Sequence, residues 1–197
     1  MLATIPYDRA HAVEYARRWA LDRNPLFYNF EGLGGDCTNF VSQCVLAGCC
    51  VMNYTPDFGW YYQSPDDRAP AWTGVKFFFD FITGVREFSE QNGGVGPFGY
   101  LLPRRDRRPH TAVVPGDVIQ LANDAGDYYH SLIVTGIVGN DILVASHSDD
   151  ALDRRLSTYR YSRYRAIHIG GARVDIGGID CFPSLIAGVP MPEEDGE

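Results

Sequence analysis

Residues 34 to 44 read GGDCTNFVSQC, and Cys37, behind a glycine pair and an acid, is its candidate nucleophile. The apolar spacing after it predicts a helix beginning at Asp36, which puts Cys37 in its first turn. A helix N-terminus carries about half a positive charge, which favours thiolate over thiol, and the thiolate is the nucleophile. Gly34 and Gly35 let other backbone approach and leave the sulfur accessible, while Asp36 caps the turn. The N–H of Cys37 would then be one donor to a developing oxyanion. The competing reading of the same residue is a small core side chain at the start of an amphipathic helix.

A cysteine nucleophile needs a base, and the base an orienting partner. The histidines stand at 11, 110, 130, 147 and 168. His130 opens a predicted strand, HSLIVTGIV, and is the candidate base. His147 ends the next strand, DILVASH, and is the candidate third member; Asp149 and Asp150, just beyond, are its rivals. With Gly139 and Asn140 as a two-residue turn, unbroken pairing sets His147 opposite Leu132, so both histidines fall at one end of a hairpin. Of the remainder, His11 lies on an exposed helix face, His110 in an arginine-rich loop, and His168 between Ile167 and Ile169 as a packed structural residue.

The elements that must hold these groups are set by periodicity and turn chemistry. Asp8 caps a first helix with Ala12, Val13, Ala16, Trp19 and Ala20 on one face, and Pro25 stops it by disfavouring helical geometry at Asn24. LFYNFEGLGG is a loop with aromatic anchors; its Tyr28 and Asn29 are candidates for a second oxyanion donor. In the helix from Asp36, Phe40, Val41, Cys44, Val45 and Gly48 share a face, with Gly48 as C-cap. The aromatic segment through residue 72 offers Trp60, Tyr61 and Trp72 as candidate walls of a substrate groove. Their alternative role, with Tyr62, is pinning a long connection to the core. A third helix opens at Thr73 or Gly74 and runs to Ile82, and residues 84–111 read as a long loop. VVPGDVIQLAN, HSLIVTGIV, DILVASH and YRAIHIGGARV then read as strands. Helices first and an antiparallel sheet afterwards is an α+β layout, predicted as one domain over 1–188 with a disordered acidic tail at 189–197.

Bulk properties narrow the partners. The chain has 197 residues, 45% hydrophobic and 21% charged, enough for one well-buried core. A net charge of -8 argues against nucleic acid, and the cluster Arg104, Arg105, Arg107, Arg108 reads as a solvated loop. No run approaches the roughly 18 apolar residues that span a bilayer. The first residues lack the apolar core of a signal peptide, which predicts a cytoplasmic protein, with release at the cell wall as the alternative. Five cysteines without regular spacing argue against a disulfide framework and for a reducing compartment. Adjacent Cys49 and Cys50 lack the second pair that a zinc site needs.

Together, GLGGDCTNFVSQCVLAG, VPGDVIQL, HSLIVTG and ILVASH resemble the helix opening and three strands of papain-like cell-wall amidases and peptidases of the NlpC and CHAP kinds. More closely, AVEYARRWALDRNPLFYNFEGLGGDCTNFVSQC, MNYTPDFGWYY, APAWTGV and PGDVIQL resemble the bacterial putative amidase domain family, from about Tyr7 to about Arg173. The resemblance implies a papain-like cysteine peptidase fold, N-terminal helices packed on a C-terminal antiparallel sheet, with Cys37, His130 and His147 as catalytic residues. It implies a hydrolase that opens an amide bond through a thioester without metal or organic cofactor. The substrate class it implies is a peptide or other amide, peptidoglycan stem peptide by default. The alternatives are an acyltransferase using the same pair and a non-catalytic binding module of the same shape.

Overall fold

The computed structural model describes residues 2–84, 94–103, 112–175 and 180–192. The arginine cluster at 104–108, His110 and the end of the acidic tail at 193–197 lie outside the described residues.

Helix α1 spans Arg9–Trp19, capped as expected: the Asp8 carboxylate accepts the His11 N–H at 3.0 Å. Ala12, Tyr15, Ala16 and Trp19 form its buried stripe. Helix α2, Cys37–Cys49, is buried on every side rather than on one face. A helix can be enclosed this way only if its polar side chains find partners, and they do. Tyr15 Oη donates to Gln43 Oε1, Trp60 Nε1 to Ser42 Oγ at 3.1 Å, and Trp72 Nε1 to Asn39 Oδ1 at 2.8 Å. Trp60 and Trp72 are fully closed to solvent. They brace α2 from the side the sequence pattern left polar, so neither walls a groove. Tyr61 stays partly exposed, its hydroxyl on Asp67.

The end of α2 also differs from expectation. Gly48 lies inside the helix, and Cys50 is the left-handed C-cap at φ 51°. Glycine is required at 48 for contact: a Cβ there would stand 2.2 Å from the Tyr7 ring and 2.8 Å from the Asp8 carbonyl oxygen. Cys50 is disulfide-bonded to Cys181 beside helix α5, Phe182–Ala187 here, because the fold brings residues 131 apart in sequence together. This corrects the expectation of free cysteines; Cys37, Cys44 and Cys49 are the free thiols. The expected third helix is α4, Val75–Thr83, with Gly74 as its N-cap, and a short helix α3, Pro70–Thr73, precedes it.

Among the described residues, seven strands make one antiparallel sheet: β1 Ala3–Ile5, β2 Gly96–Leu101, β3 Val118–Ala122, β4 Tyr128–Val138, β5 Asp141–Ser146, β6 Ala151–Arg155 and β7 Arg163–Val174. Their order is β1-β7-β3-β4-β5-β6, with β2 also on β7. Strand β2 lies in a stretch that reads as loop, since Gly96, Pro97 and Gly99 are poor strand formers. At Gly99 a side chain would collide with the His168 carbonyl, so glycine is what lets the edge strand pair. The β4–β5 hairpin turns at Gly139–Asn140 as expected, but a bulge at Thr135 shifts its register by one: Val134 pairs with Val144 and Ile133 with Ala145. The helices pack on one face of the sheet through Val118, Ile133, Ala145 and Ile167. The other face carries Ile119, Leu121, Leu132, Val134 and Val144 under Tyr159, Tyr161 and Tyr164.

Candidate active site

Cys37 is the first residue of α2 and 7% exposed. Its sulfur lies 3.9 Å from Thr38 Oγ1 and accepts a hydrogen bond from the backbone of Ser131 on β4. Thr38 reaches the same strand, its hydroxyl 2.9 Å from Ser131 Oγ. Burial pushes the Cys37 thiol above its ordinary range; the Ser131 and Thr38 hydrogen bonds pull it back, and the charge of Asp36 adds to the rise. The thiolate expected from helix position alone is therefore not the resting form. Burial and an adjacent carboxylate outweigh the field of the helix end.

Asp36 occupies the N-cap position without capping by its side chain. Its carboxylate accepts from the Phe30 N–H at 2.9 Å, from Asn39 Nδ2 at 2.8 Å and from His147 Nδ1 at 2.6 Å. The His147 Nε2 lies 2.9 Å from the Trp19 carbonyl oxygen, and its ring stacks on Phe40 at 4.0 Å. Both ring nitrogens thus face oxygen atoms, which hold the ring between Asp36 and α1. His147 orients the start of α2, and its nitrogens are not directed at His130.

His130 stands on β4 next to Ser131 but points the other way. It pairs with Leu121, one residue from Ser131, so alternation sends its ring to the face away from α2. There it lies 6.3 Å from the Tyr159 ring and 6.1 Å from that of Tyr129. Burial pushes its pKa down to about 4, against the pull of Asp149 upward, and Arg154 lowers it further. Among the described residues no hydrogen bond joins it to Cys37. Asp149 pairs with Arg154 at 2.7 Å, and it is the carboxylate whose charge His130 feels. Asp150 is held by Arg23.

In the loop before α2, Tyr28 takes Tyr62 Oη on its N–H and gives its carbonyl to Asn39 Nδ2; its ring is 45% exposed. Asn29 accepts the Glu31 N–H in a local turn. His168, partly exposed, joins Arg9 and Asp117 in a separate polar cluster. Reading the sequence did not find Thr38, Ser131 or the Asp36–His147 pair; a hydroxyl following each of Cys37 and His130 was the one available signal. Among the described residues, no group of three or more His, Cys, Asp or Glu could hold a metal, and no helix is long and apolar enough to cross a membrane.

These features define an α+β domain in which a buried cysteine opens a central helix against an antiparallel sheet. Residues 6–169 match the family described as "Putative amidase domain", and the chain belongs to that family, whose description points to amide hydrolysis. An uncharacterized protein of Bacillus subtilis (strain 168), YhbB, is similar: 44% identical over 61 residues, which are 29% of this chain and 19% of that protein. The chain thus matches less than two thirds of that relative's length. No solved structure matches the chain.

Proposed function

We propose that this chain is a cysteine-dependent amidohydrolase of papain-like architecture, with Cys37 as nucleophile and His130 as base. The observation that carries this reading is the position of the Cys37 sulfur. It sits at the head of the central helix against the backbone of Ser131, one residue from His130.

The resting pair is neutral on both sides: burial raises the thiol and lowers the imidazole. A neutral imidazole can accept a proton, and His130 takes the Cys37 proton if the start of β4, already irregular beside it, shifts register by one residue and brings the ring to the α2 face. The sulfur then attacks the amide carbonyl carbon. The oxyanion is held by the Cys37 N–H, which in the first helical turn needs no intrahelical acceptor, and by a second donor from Tyr28 or Asn29. His130 returns the proton to the leaving amine, and water hydrolyses the thioester. Asp149 is the carboxylate that supports the imidazolium in this scheme, while His147 and Asp36 position the helix.

A disulfide at Cys50–Cys181 fits an oxidising compartment, which favours action outside the cytoplasm and cell-wall peptide as substrate. The second reading is a non-catalytic binding module, favoured by the opposite-facing thiol and imidazole.

Labelling with limiting iodoacetamide, site by site by mass spectrometry, separates the two. Cys37 should react at least ~10-fold faster than Cys44 and Cys49, and His130→Ala should slow it by a further ~10-fold or more. Equal rates at the three thiols, or indifference to His130→Ala, would leave the binding module.

A further inference from the structure

We infer that Arg165 forms an anionic subsite on the Cys37 side of the sheet, selecting amide substrates that carry a carboxylate about three residues from the scissile bond. The inference rests on the proposed role of Cys37 and names its substrate class.

Arg165 belongs to β7 and pairs with Gln120 of β3, which pairs in turn with Ser131 of β4. The three side chains stand in one row across neighbouring strands, joined head to tail. Arg165 Nε donates to Gln120 Oε1 at 2.8 Å, and Gln120 Nε2 donates to Ser131 Oγ at 3.1 Å. Ser131 Oγ meets Thr38 Oγ1, and Thr38 adjoins the Cys37 sulfur. Gln120, Ser131 and Thr38 are fully buried, so the row is a fixed ruler between the arginine and the thiol. Two strand spacings put Arg165 about 10 Å from Ser131, which an extended peptide crosses in about three residues.

The guanidinium itself is held flat. Its carbon lies 3.4 Å from the centre of the Phe79 ring and 3.8 Å from that of Tyr128. Two aromatic rings cover the group and Gln120 occupies its Nε, which leaves the terminal pair of nitrogens. Among the described residues, no hydrogen bond or ion pair engages them. Burial pushes this arginine down to about 10, with Tyr128 and Asp80 pulling it up, so it remains a cation at neutral pH, partly stripped of water. A planar, pre-ordered, under-solvated fork is suited to a carboxylate gripped by two parallel hydrogen bonds.

The test uses iodoacetyl-Gly-Gly as free acid and as carboxamide. In both, the Cys37 sulfur forms a C–S bond at the methylene carbon as the C–I bond breaks and iodide leaves. The acid should label Cys37 about 10- to 100-fold faster than the amide, the range of a charge-assisted bidentate contact. Arg165→Gln should abolish that preference, bringing the acid probe to the rate of the amide probe in the same variant, and an unchanged circular dichroism spectrum and thermal midpoint show the fold intact. Iodoacetate, whose carboxylate is too close to the reacting carbon to reach Arg165, should gain nothing from the arginine. Equal rates for acid and amide in the wild type, or a preference that survives Arg165→Gln, would overturn the subsite and leave the nucleophile standing. If neither probe labels Cys37, the nucleophile reading fails. The subsite is then decided by reversible binding of acetyl-Gly-Gly-Gly acid against its amide to Cys37→Ala protein: a ratio lost in Arg165→Gln supports it, and equal binding overturns it.

Discussion

A thiol at the head of a helix is acidified only when the helix end is the strongest field it feels. At Cys37 it competes with burial and with Asp36, the neighbour whose carboxylate is turned toward His147. The outcome is a thiol raised above its ordinary range, beside Ser131 and Thr38 groups whose hydrogen bonds favour its anion. His130 is the complementary case, an imidazole kept neutral by burial. Its unfolded form protonates near pH 6.5 and its folded form near 4, so between those values the unfolded chain holds the extra proton. Stability is full above pH 6.5 and falls as the pH drops through this window, by up to about 3 kcal/mol. Urea midpoints of wild type and His130→Gln at about pH 7 and about pH 4.5 measure this. The wild type should lose more than the variant on acidification, and parallel losses would mean that His130 is not held neutral.

At the scale of elements, α2 is the part on which the site depends. One end is fixed by the Asp36–His147 pair, reaching from β5 to the last turn of α1, and the other by contact with Tyr7 and by Cys50. Glycine inside a helix ordinarily costs about 1 kcal/mol against alanine. Gly48→Ala is expected to do the opposite and destabilise by about 1–3 kcal/mol, because its methyl group would enter the Tyr7 ring and the Asp8 carbonyl. Thermal unfolding of Gly48→Ala alone and with Tyr7→Ala checks the cause: truncating Tyr7 should recover part of the loss.

For the whole molecule, the Cys50–Cys181 bridge ties α5 to the end of the central helix across 131 residues. Beside it lies an apolar cavity of about 620 Å³, lined by Leu26, Leu46, Met52, Tyr62, Leu185 and Met191 among others. A link over so long a loop removes much freedom from the unfolded chain, so Cys50→Ser with Cys181→Ser should cost about 2–5 kcal/mol. Denaturant midpoints with and without reductant should converge for this variant and differ for the wild type. A wild type indifferent to reductant would mean the bridge adds no stability.

Much of this molecule was legible in the residue order because it rests on local rules. Asp8 as a cap, the helix beginning at Cys37, the Gly139–Asn140 turn and the strands around it are products of side-chain periodicity and backbone preference. The proposal of Cys37 and His130 as reactive groups also starts from local signals, residue type at an element's end. What only the tertiary structure decided depends on contacts between distant segments. A single bulge at Thr135 changes what lies opposite what, and alternation sends His130 and His147 to opposite faces of the sheet. Asp36 leaves its cap for a histidine 111 residues away, two tryptophans that read as groove walls close over the polar side of α2, and Cys50 finds Cys181. The packing of Phe79 and Tyr128 against Arg165 likewise joins segments far apart in sequence. Local pattern sets which elements form; which side chains meet is settled when those elements must share one core.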